Sequence, residues 1–245
     1  MDLQTHRDAL AASVLATPGV TGFAYFGSAA SAAAHRRDEW SDLDFAVFHA
    51  DGADRVGRDW PFLPFREHLV LTARESHGGG VALYDDGILY EFGAGRPWQL
   101  RDPSCEVLLD GGEFDYLPPD QPPDAIAQIR LFLVKLYIGM GRVRRGERLA
   151  GGVQIRYHAV TCLAETLRQR LAPDAERNPF DPLRRLEGAL PEPAGRLADL
   201  LDCELETCAR GLFDLARDTL EPGWPEFPGR AADTIAGRLG WSPPA

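Results

Sequence analysis

The sequence predicts an α/β (α+β) lobe, a small mixed sheet with flanking helices, followed by an all-α helical bundle. Three observations carry that expectation. About the first hundred residues hold short β-branched and aromatic runs separated by Gly and Asp-Gly, which is strand-and-turn text. Leu117 to Pro123 then holds four prolines in seven positions, a composition neither helix nor strand tolerates. Beyond it, apolar residues recur at a spacing of three to four. The expected boundaries are 1–116 for the first domain, 117–123 for a linker and 124–245 for the helical domain.

In the first lobe, residues 3 to 16 offer Leu3, Leu10, Val14 and Leu15 as one apolar face of a helix stopped by Pro18-Gly19. Val20 to Phe26 reads as a strand, Gly27-Ser28 as the turn that ends it, and Ser28 to Ala34 as a short helix. Such a turn offers backbone N–H groups and a hydroxyl to a phosphate chain. His35, Arg36 and Arg37 lie in the following connection. They are read either as a solvated loop or, for the two arginines, as phosphate-directed cations.

The strand Trp40 to Phe48 contains Asp42-Leu43-Asp44. In a strand, residues i and i+2 share a face, so the two carboxylates converge while Leu43 and Phe45 point the other way. Like charges held that close favour a cation between them, and hard oxygen ligands select Mg²⁺ or Mn²⁺. Residues 51–64 read as a loop with a short helix, 67–74 as a strand and Gly78-Gly79-Gly80 as a flexible connection. No Lys-Ser/Thr follows those glycines, so they are not a P-loop.

Val81 to Tyr84 and Ile88 to Phe92 flank Asp85-Asp86-Gly87, a hairpin signal. Ile88, Tyr90 and Phe92 share one face and Leu89 and Glu91 the other. A carboxylate amid apolar strand residues is costly unless something charged faces it, which marks Glu91 as the third acidic candidate ahead of the turn residues Asp85 and Asp86. Residues 105–110 read as the last strand of the sheet.

Gly27-Ser28, thirteen residues, then Asp42-Leu43-Asp44 in an apolar strand resembles the nucleotidyltransferase superfamily of the polymerase-β type. Within it, Arg37-Asp38-Glu39-Trp40-Ser41-Asp42-Leu43-Asp44 is similar to antibiotic nucleotidyltransferases that act on aminoglycosides and lincosamides. The resemblance implies a nucleotidyltransferase fold. It implies an enzyme that moves a nucleoside monophosphate from Mg²⁺-bound NTP, with ATP the expected co-substrate, onto a hydroxyl of a small acceptor. Asp42, Asp44 and Glu91 are the implied metal ligands and catalytic residues, with Glu91 standing where the family's pattern often has Asp. Gly27 and Ser28 are implied to bind the terminal phosphates. Two alternatives stay open: a toxin-like relative acting on protein or tRNA, and a non-catalytic nucleotide-binding module of the same fold.

In the second lobe, Asp124 is an expected N-cap for a helix to Val143, with Ile126, Ile129, Leu133, Leu136 and Met140 on its buried face. Phe132, Val134 and Ile138 make its other sides apolar, so the helix is expected to be central. Lys135, the single Lys in the chain, lies on this helix, with Gly139 and Arg142 following at i+4 and i+7. Lys135 and Arg142 are read as pointing at nucleotide phosphates with Gly139 leaving room, or Lys135 as snorkelling to the surface. A basic residue on this helix also resembles the antibiotic-modifying enzymes. Val153, Tyr157, Val160, Ala164, Leu167 and Leu171 form the expected core stripe of a second helix. Asp181-Pro182 is expected to open a further helix, residues 193–219 to form one long helix, and a last helix to run to about Leu239.

The net charge of −11 argues against general nucleic-acid binding and fits a neutral or cationic acceptor. No basic-apolar leader is evident and no apolar run is long enough to span a bilayer, so a cytoplasmic protein is expected. Cys105, Cys162, Cys203 and Cys208 lack the paired spacing of a zinc site and are read as reduced, packed thiols.

Overall fold

The computed structural model describes residues 1–75, 79–96, 105–111, 123–176, 178 and 181–241. The chain divides into two compact units, Met1–Asp120 and Gln121–Ala245. Of the expected linker, residues 117–122 lie outside the described residues.

The first unit runs α1 (Leu3–Ala16), β1 (Val20–Tyr25), two 3₁₀ turns (Gly27–Ala29 and Ser31–Arg36), β2 (Leu43–His49), α2 (Arg55–Asp59), β3 (Leu69–Arg74), β4 (Gly79–Tyr84), β5 (Leu89–Gly95) and β6 (Glu106–Asp110). The six strands form one mixed sheet in the order β3-β4-β5-β2-β1-β6. β2 and β5 pair in parallel, and every other pair is antiparallel. The expected short helix after Gly27-Ser28 is thus two 3₁₀ turns.

Alternation along the strands separates the two faces of the sheet. Phe23, Tyr25, Leu43, Phe45, Val47, Tyr90 and Phe92 pack into one aromatic core with Leu10 and Val14 of α1 and with Trp60 and Phe62. The opposite face carries the small cluster Ala24, Ala46 and Phe48. It is on this thinly covered face that Asp44 and Glu91 stand, because each alternates with a core aromatic.

α1 is capped by Asp2, whose side chain accepts from the Thr5 N–H at 2.7 Å. Its buried stripe is His6, Leu10 and Val14, whereas Leu15 is exposed, so the expected face is rotated by part of a turn. Burial of His6 is tolerated because both ring nitrogens are satisfied, Nδ1 by the Tyr90 hydroxyl at 2.9 Å and Nε2 by Asp86 Oδ2 at 3.0 Å. Asp86 therefore fastens the β4–β5 turn to α1.

Gly79 and Gly80 belong to β4 and not to a flexible connection, and Gly78 lies outside the described residues. The Trp60 ring lies where a Cβ of Gly80 would go, so the glycine is needed for an aromatic crossing the strand.

The second unit is helical: α3 (Ala125–Arg144), α4 (Arg148–Val153), a π-helical segment (Gln154–Ala159), α5 (Val160–Leu171), α6 (Leu186–Ala189), α7 (Pro191–Leu201), α8 (Leu205–Leu220) and α9 (Gly229–Leu239). Asp124 caps α3 by accepting from the Ala127 N–H at 3.0 Å. Ile129, Phe132, Leu133, Leu136 and Met140 enter the core, while Val134 and Ile138 are exposed, so α3 is buried along one side only.

Three expectations fail here for identifiable reasons. The stripe from Val153 to Leu171 is interrupted by the π-helical segment, whose wider turn changes the phase between its ends. Val160, Ala164 and Leu167 are buried as expected, but Val153 and Tyr157 before them are more than half exposed, and Ile155 and Ala159 take their places. Asp181-Pro182 starts a turn, with Asp181 Oδ1 accepting from Leu183 N–H, and the helix begins only at Leu186. Buried Arg168 holds that connection open by donating to the carbonyls of Pro182 and Arg184, both at 2.7 Å. Residues 193–219 form two helices broken at 202–204.

Gly139 is buried against the next helix, where an added Cβ would meet Ile155 Cγ1 at 2.6 Å and the Gly151 carbonyl at 3.2 Å. It allows two backbones to approach, which replaces its expected role of leaving room for phosphate. Among the described residues, no helix is long and apolar enough to cross a membrane.

Gly139→Val should lower stability by about 1–3 kcal/mol through overpacking, measured by urea denaturation followed by helical circular dichroism. A stability within experimental error of wild type would contradict the close α3–α4 contact.

Candidate functional site

The parallel pairing of β2 with β5 sets Asp44 directly beside Glu91 in register, between the pairs Leu43–Tyr90 and Phe45–Phe92. Asp42 precedes β2 by one residue. One carboxylate oxygen from each of Asp42, Asp44 and Glu91 lies within 4.8 Å of the others, a spacing that could hold a metal ion. Asp42 and Asp44 are half-buried and Glu91 is exposed. The low-dielectric setting expected for Glu91 is therefore absent; it stands on the open face of the sheet.

Gly27 follows β1 at φ +51°, in the left-handed region that favours glycine. A Cβ there would lie 2.9 Å from Asp44 Oδ2, so the position of the Asp44 carboxylate depends on the missing side chain. Strand and turn are coupled a second time by the Phe26 N–H donating to the Asp44 carbonyl at 2.9 Å. Ser28 is the middle residue of the first 3₁₀ turn. The sheet thus brings together Asp42, Asp44 and Glu91, with Gly27 against Asp44 and Ser28 next to it in the chain. A set of three carboxylate oxygens suits a hard divalent cation.

Two arginines fix the turn. Arg37 donates from Nε to the Ser28 carbonyl at 2.7 Å and from Nη2 to the Ala29 carbonyl at 3.0 Å. Arg7, stacked over the Tyr25 ring at 4.6 Å, donates from Nε to the same Ala29 carbonyl at 2.9 Å and from Nη2 to both Glu106 oxygens at 2.8 Å. Glu106 in turn accepts from the Ser31 N–H at 2.6 Å. Partial burial pushes the Glu106 carboxyl up, but Ser31 and Arg7 outweigh it and hold the group below the ordinary glutamate range. Arg37, read as either solvated or phosphate-directed, thus holds the turn after β1 through its carbonyls.

The parts played by Arg7 and Glu106 were not anticipated. Arg7 stands three residues before Leu10 and seven before Val14, so a charge on the apolar stripe of α1 was the available signal. Glu106, on the edge strand β6, gave none.

Lys135 and Arg142 lie on α3 in the second unit, both half-buried. Lys135 is close enough to Cys162 for its ammonium to moderate the rise that burial causes in that thiol's pKa. Neither Lys135 nor Arg142 makes an ion pair with another described residue. All four cysteines are free thiols.

No protein-family model matches the chain, and no curated protein matches it. Among solved structures it is similar to an aminoglycoside 6-adenyltransferase from Bacillus subtilis, at 11% identity and a TM-score of 0.34, over 100% of this chain and 94% of that one. A TM-score this low gives the likeness no weight for activity, which has to be read from the carboxylate geometry.

Two outcomes follow from the site. Glu106 is held below its ordinary value of 4.5, so its contribution is complete above that pH and fades as pH falls through the lowered folded-state value. Glu106→Gln should cost about 1–3 kcal/mol at pH 7, with the gap to wild type narrowing below about pH 4; a pH-independent gap in urea titrations would refute the ion pair. Glu91→Gln relieves repulsion among three carboxylates and should raise the metal-free melting temperature at low ionic strength, an advantage that shrinks in about 1 M salt. A fall in melting temperature would show that Glu91 is paired and not repelled.

Proposed function

We propose that the protein is a metal-dependent nucleotidyltransferase that transfers a nucleoside monophosphate from an NTP, with ATP the expected donor, to a hydroxyl of a small acceptor. The observation that carries this reading is the β2–β5 register, which sets Asp44 beside Glu91 and, with Asp42, gathers three carboxylate oxygens within 4.8 Å. Asp42, Asp44 and Glu91 would hold Mg²⁺ or Mn²⁺, whose chemistry is to neutralise phosphate charge and orient the NTP.

The chain's own groups have distinct tasks in this reaction. Gly27 and Ser28 present the turn that Arg7 and Arg37 fix, and this turn receives the terminal phosphates. Asp42 and Asp44 stand half-buried beside it. Glu91, exposed on the same face, takes the proton of the acceptor hydroxyl as that oxygen attacks the α-phosphorus and pyrophosphate departs. Lys135 and Arg142 are assigned as cations that strengthen NTP binding.

The acceptor class proposed is an aminoglycoside or lincosamide. It is supported by the text from Arg37 to Asp44 and by the acidic balance of the chain.

The test is the thermal midpoint of the purified protein with each of ATP, GTP, CTP and UTP, with and without Mg²⁺. At 100-fold saturation a ligand stabilises by about 2.7 kcal/mol, so a rise of several degrees is expected with Mg·NTP and should vanish in Asp44→Asn. Lys135→Ala should retain the response at a several-fold weaker NTP affinity. No Mg²⁺-dependent response to any NTP would sink the reading.

A further inference from the structure

α3 carries two apolar stripes. Ile129, Phe132, Leu133, Leu136 and Met140 enter the core of the second unit, whereas Leu131, Val134 and Ile138 on the other side are 43%, 49% and 40% exposed. With exposed Ala127 and half-buried Gly141, these three recur at steps of 4-3-4-3, the d-a-d-a-d positions of a heptad in which Leu131 is a. The core residues fall at b, c and f, so the two stripes lie back to back. A helix on the surface of a bundle needs only one of them. An outward stripe restricted to a and d is the narrow seam that receives another helix. Among the described residues no helix covers it.

The flanks of the seam say which kind of helix fits. Lys135 and Arg142 stand at e, Arg130 and Arg144 at g, and Ala125–Arg144 contains no acidic residue in a chain of net charge −11. Arg144 pairs with Glu206, but Arg130, Lys135 and Arg142 make no ion pair with another described residue. The acids at the two ends of α3 are engaged: Asp124 caps it, Glu147 pairs with Arg145 and Glu206 with Arg144. Charges at e and g set the choice of partner between paired helices. A second copy of α3 would set cation against cation in either direction, because both flanks carry the same sign. A helix with Asp or Glu at its own e and g positions would meet opposite charge on both. An anionic membrane fits less well, since the stripe is narrow and the acidic remainder of the chain would be repelled by that surface.

We propose that the outward seam of α3, Ala127, Leu131, Val134, Ile138 and Gly141, is a docking surface for an acidic amphipathic helix of a partner protein. Its apolar side chains fill the a and d layers, and its carboxylates pair with Arg130, Lys135 and Arg142. Docking does not depend on the nucleotidyltransferase reading. One consequence does: Lys135 and Arg142 are also the cations assigned to the NTP, so partner and nucleotide would compete for them.

The experiment is fluorescence anisotropy of the full chain, without nucleotide, against two labelled synthetic peptides of about three heptads. Both have Leu at a and d; one has Glu at e and g, the other Lys. The Glu peptide should bind, and the Lys peptide about tenfold or more weakly. Leu131→Asp and Ile138→Asp should each cut Glu-peptide affinity about tenfold or more, and Arg130→Glu several-fold with a shallower salt dependence. These positions are exposed, and a melting curve by circular dichroism checks that each variant is folded. Glu-peptide binding that is unchanged in both seam variants, or matched by the Lys peptide, would overturn the proposal. So would a wild-type dimer in light scattering that Val134→Asp turns into a monomer, which would give the seam to a second copy. Sedimentation with phosphatidylserine vesicles in the absence of peptide binding would give it to a membrane, and no binding to any probe would leave it without a docking role. Because nucleotide is absent throughout, failure here leaves the Mg·NTP thermal response standing, and loss of that response leaves the docking surface standing.

Discussion

The site depends on one constraint, the register of β2 against β5. Phe45 and Phe92, paired across the two strands, stack at 5.0 Å with their rings 17° apart in the aromatic core. One position earlier, the same pairing puts Asp44 beside Glu91 on the opposite face. A slip of β2 by one residue would carry Asp44 into that core and Phe45 out of it, and burying an ionised carboxylate costs far more than a strand pairing supplies. Core packing thus fixes the separation of the acidic groups, with no contact between the groups themselves required.

The second support is the treatment of the turn after β1. A glycine in the left-handed region and a pair of 3₁₀ turns are weak local structures on their own, and their carbonyls need donors. Arg37 and Arg7 supply them from two different elements, and Glu106 neutralises Arg7 while capping the second turn through Ser31. α1, β6 and the turn are therefore joined by charge-assisted bonds, stronger than neutral ones and suited to holding a short irregular segment. The irregular turn at Gly27 is thus held by residues from both ends of the unit.

Much of this was legible in the sequence, for physical reasons that also mark where legibility stops. The Asp-x-Asp spacing and the Asp-Gly hairpin are period-two signals with few competing interpretations, so they pointed to Asp42, Asp44 and Glu91. The environment of Glu91 was not legible: alternation says which residues share a face, but not how thickly that face is covered. Heptad-like spacing from Val153 to Leu171 assumed a constant helical turn, which the π-helical segment breaks. Gly139 read as empty space beside Lys135, whereas it is where two helices touch. Arg7 and Glu106 meet across 99 residues, a separation over which no local pattern carries information. In each case the missing knowledge was of the partner element.

The exposure of Glu91 has an electrostatic logic. Two like charges about 4 Å apart repel by about 1 kcal/mol in water and by about 4 kcal/mol at an effective dielectric of 20. Three such pairs at the higher figure would rival the entire stability of a domain, which is about 5–15 kcal/mol. Leaving Asp42 and Asp44 half-buried and Glu91 in solvent keeps the repulsion towards the lower figure before any cation arrives. In the reaction proposed above, the same openness would let an acceptor hydroxyl reach Glu91. A third carboxylate sunk beside Asp44 would offer the same ligand spacing at a greater cost to the fold, and under the proposed reaction it would no longer face the acceptor.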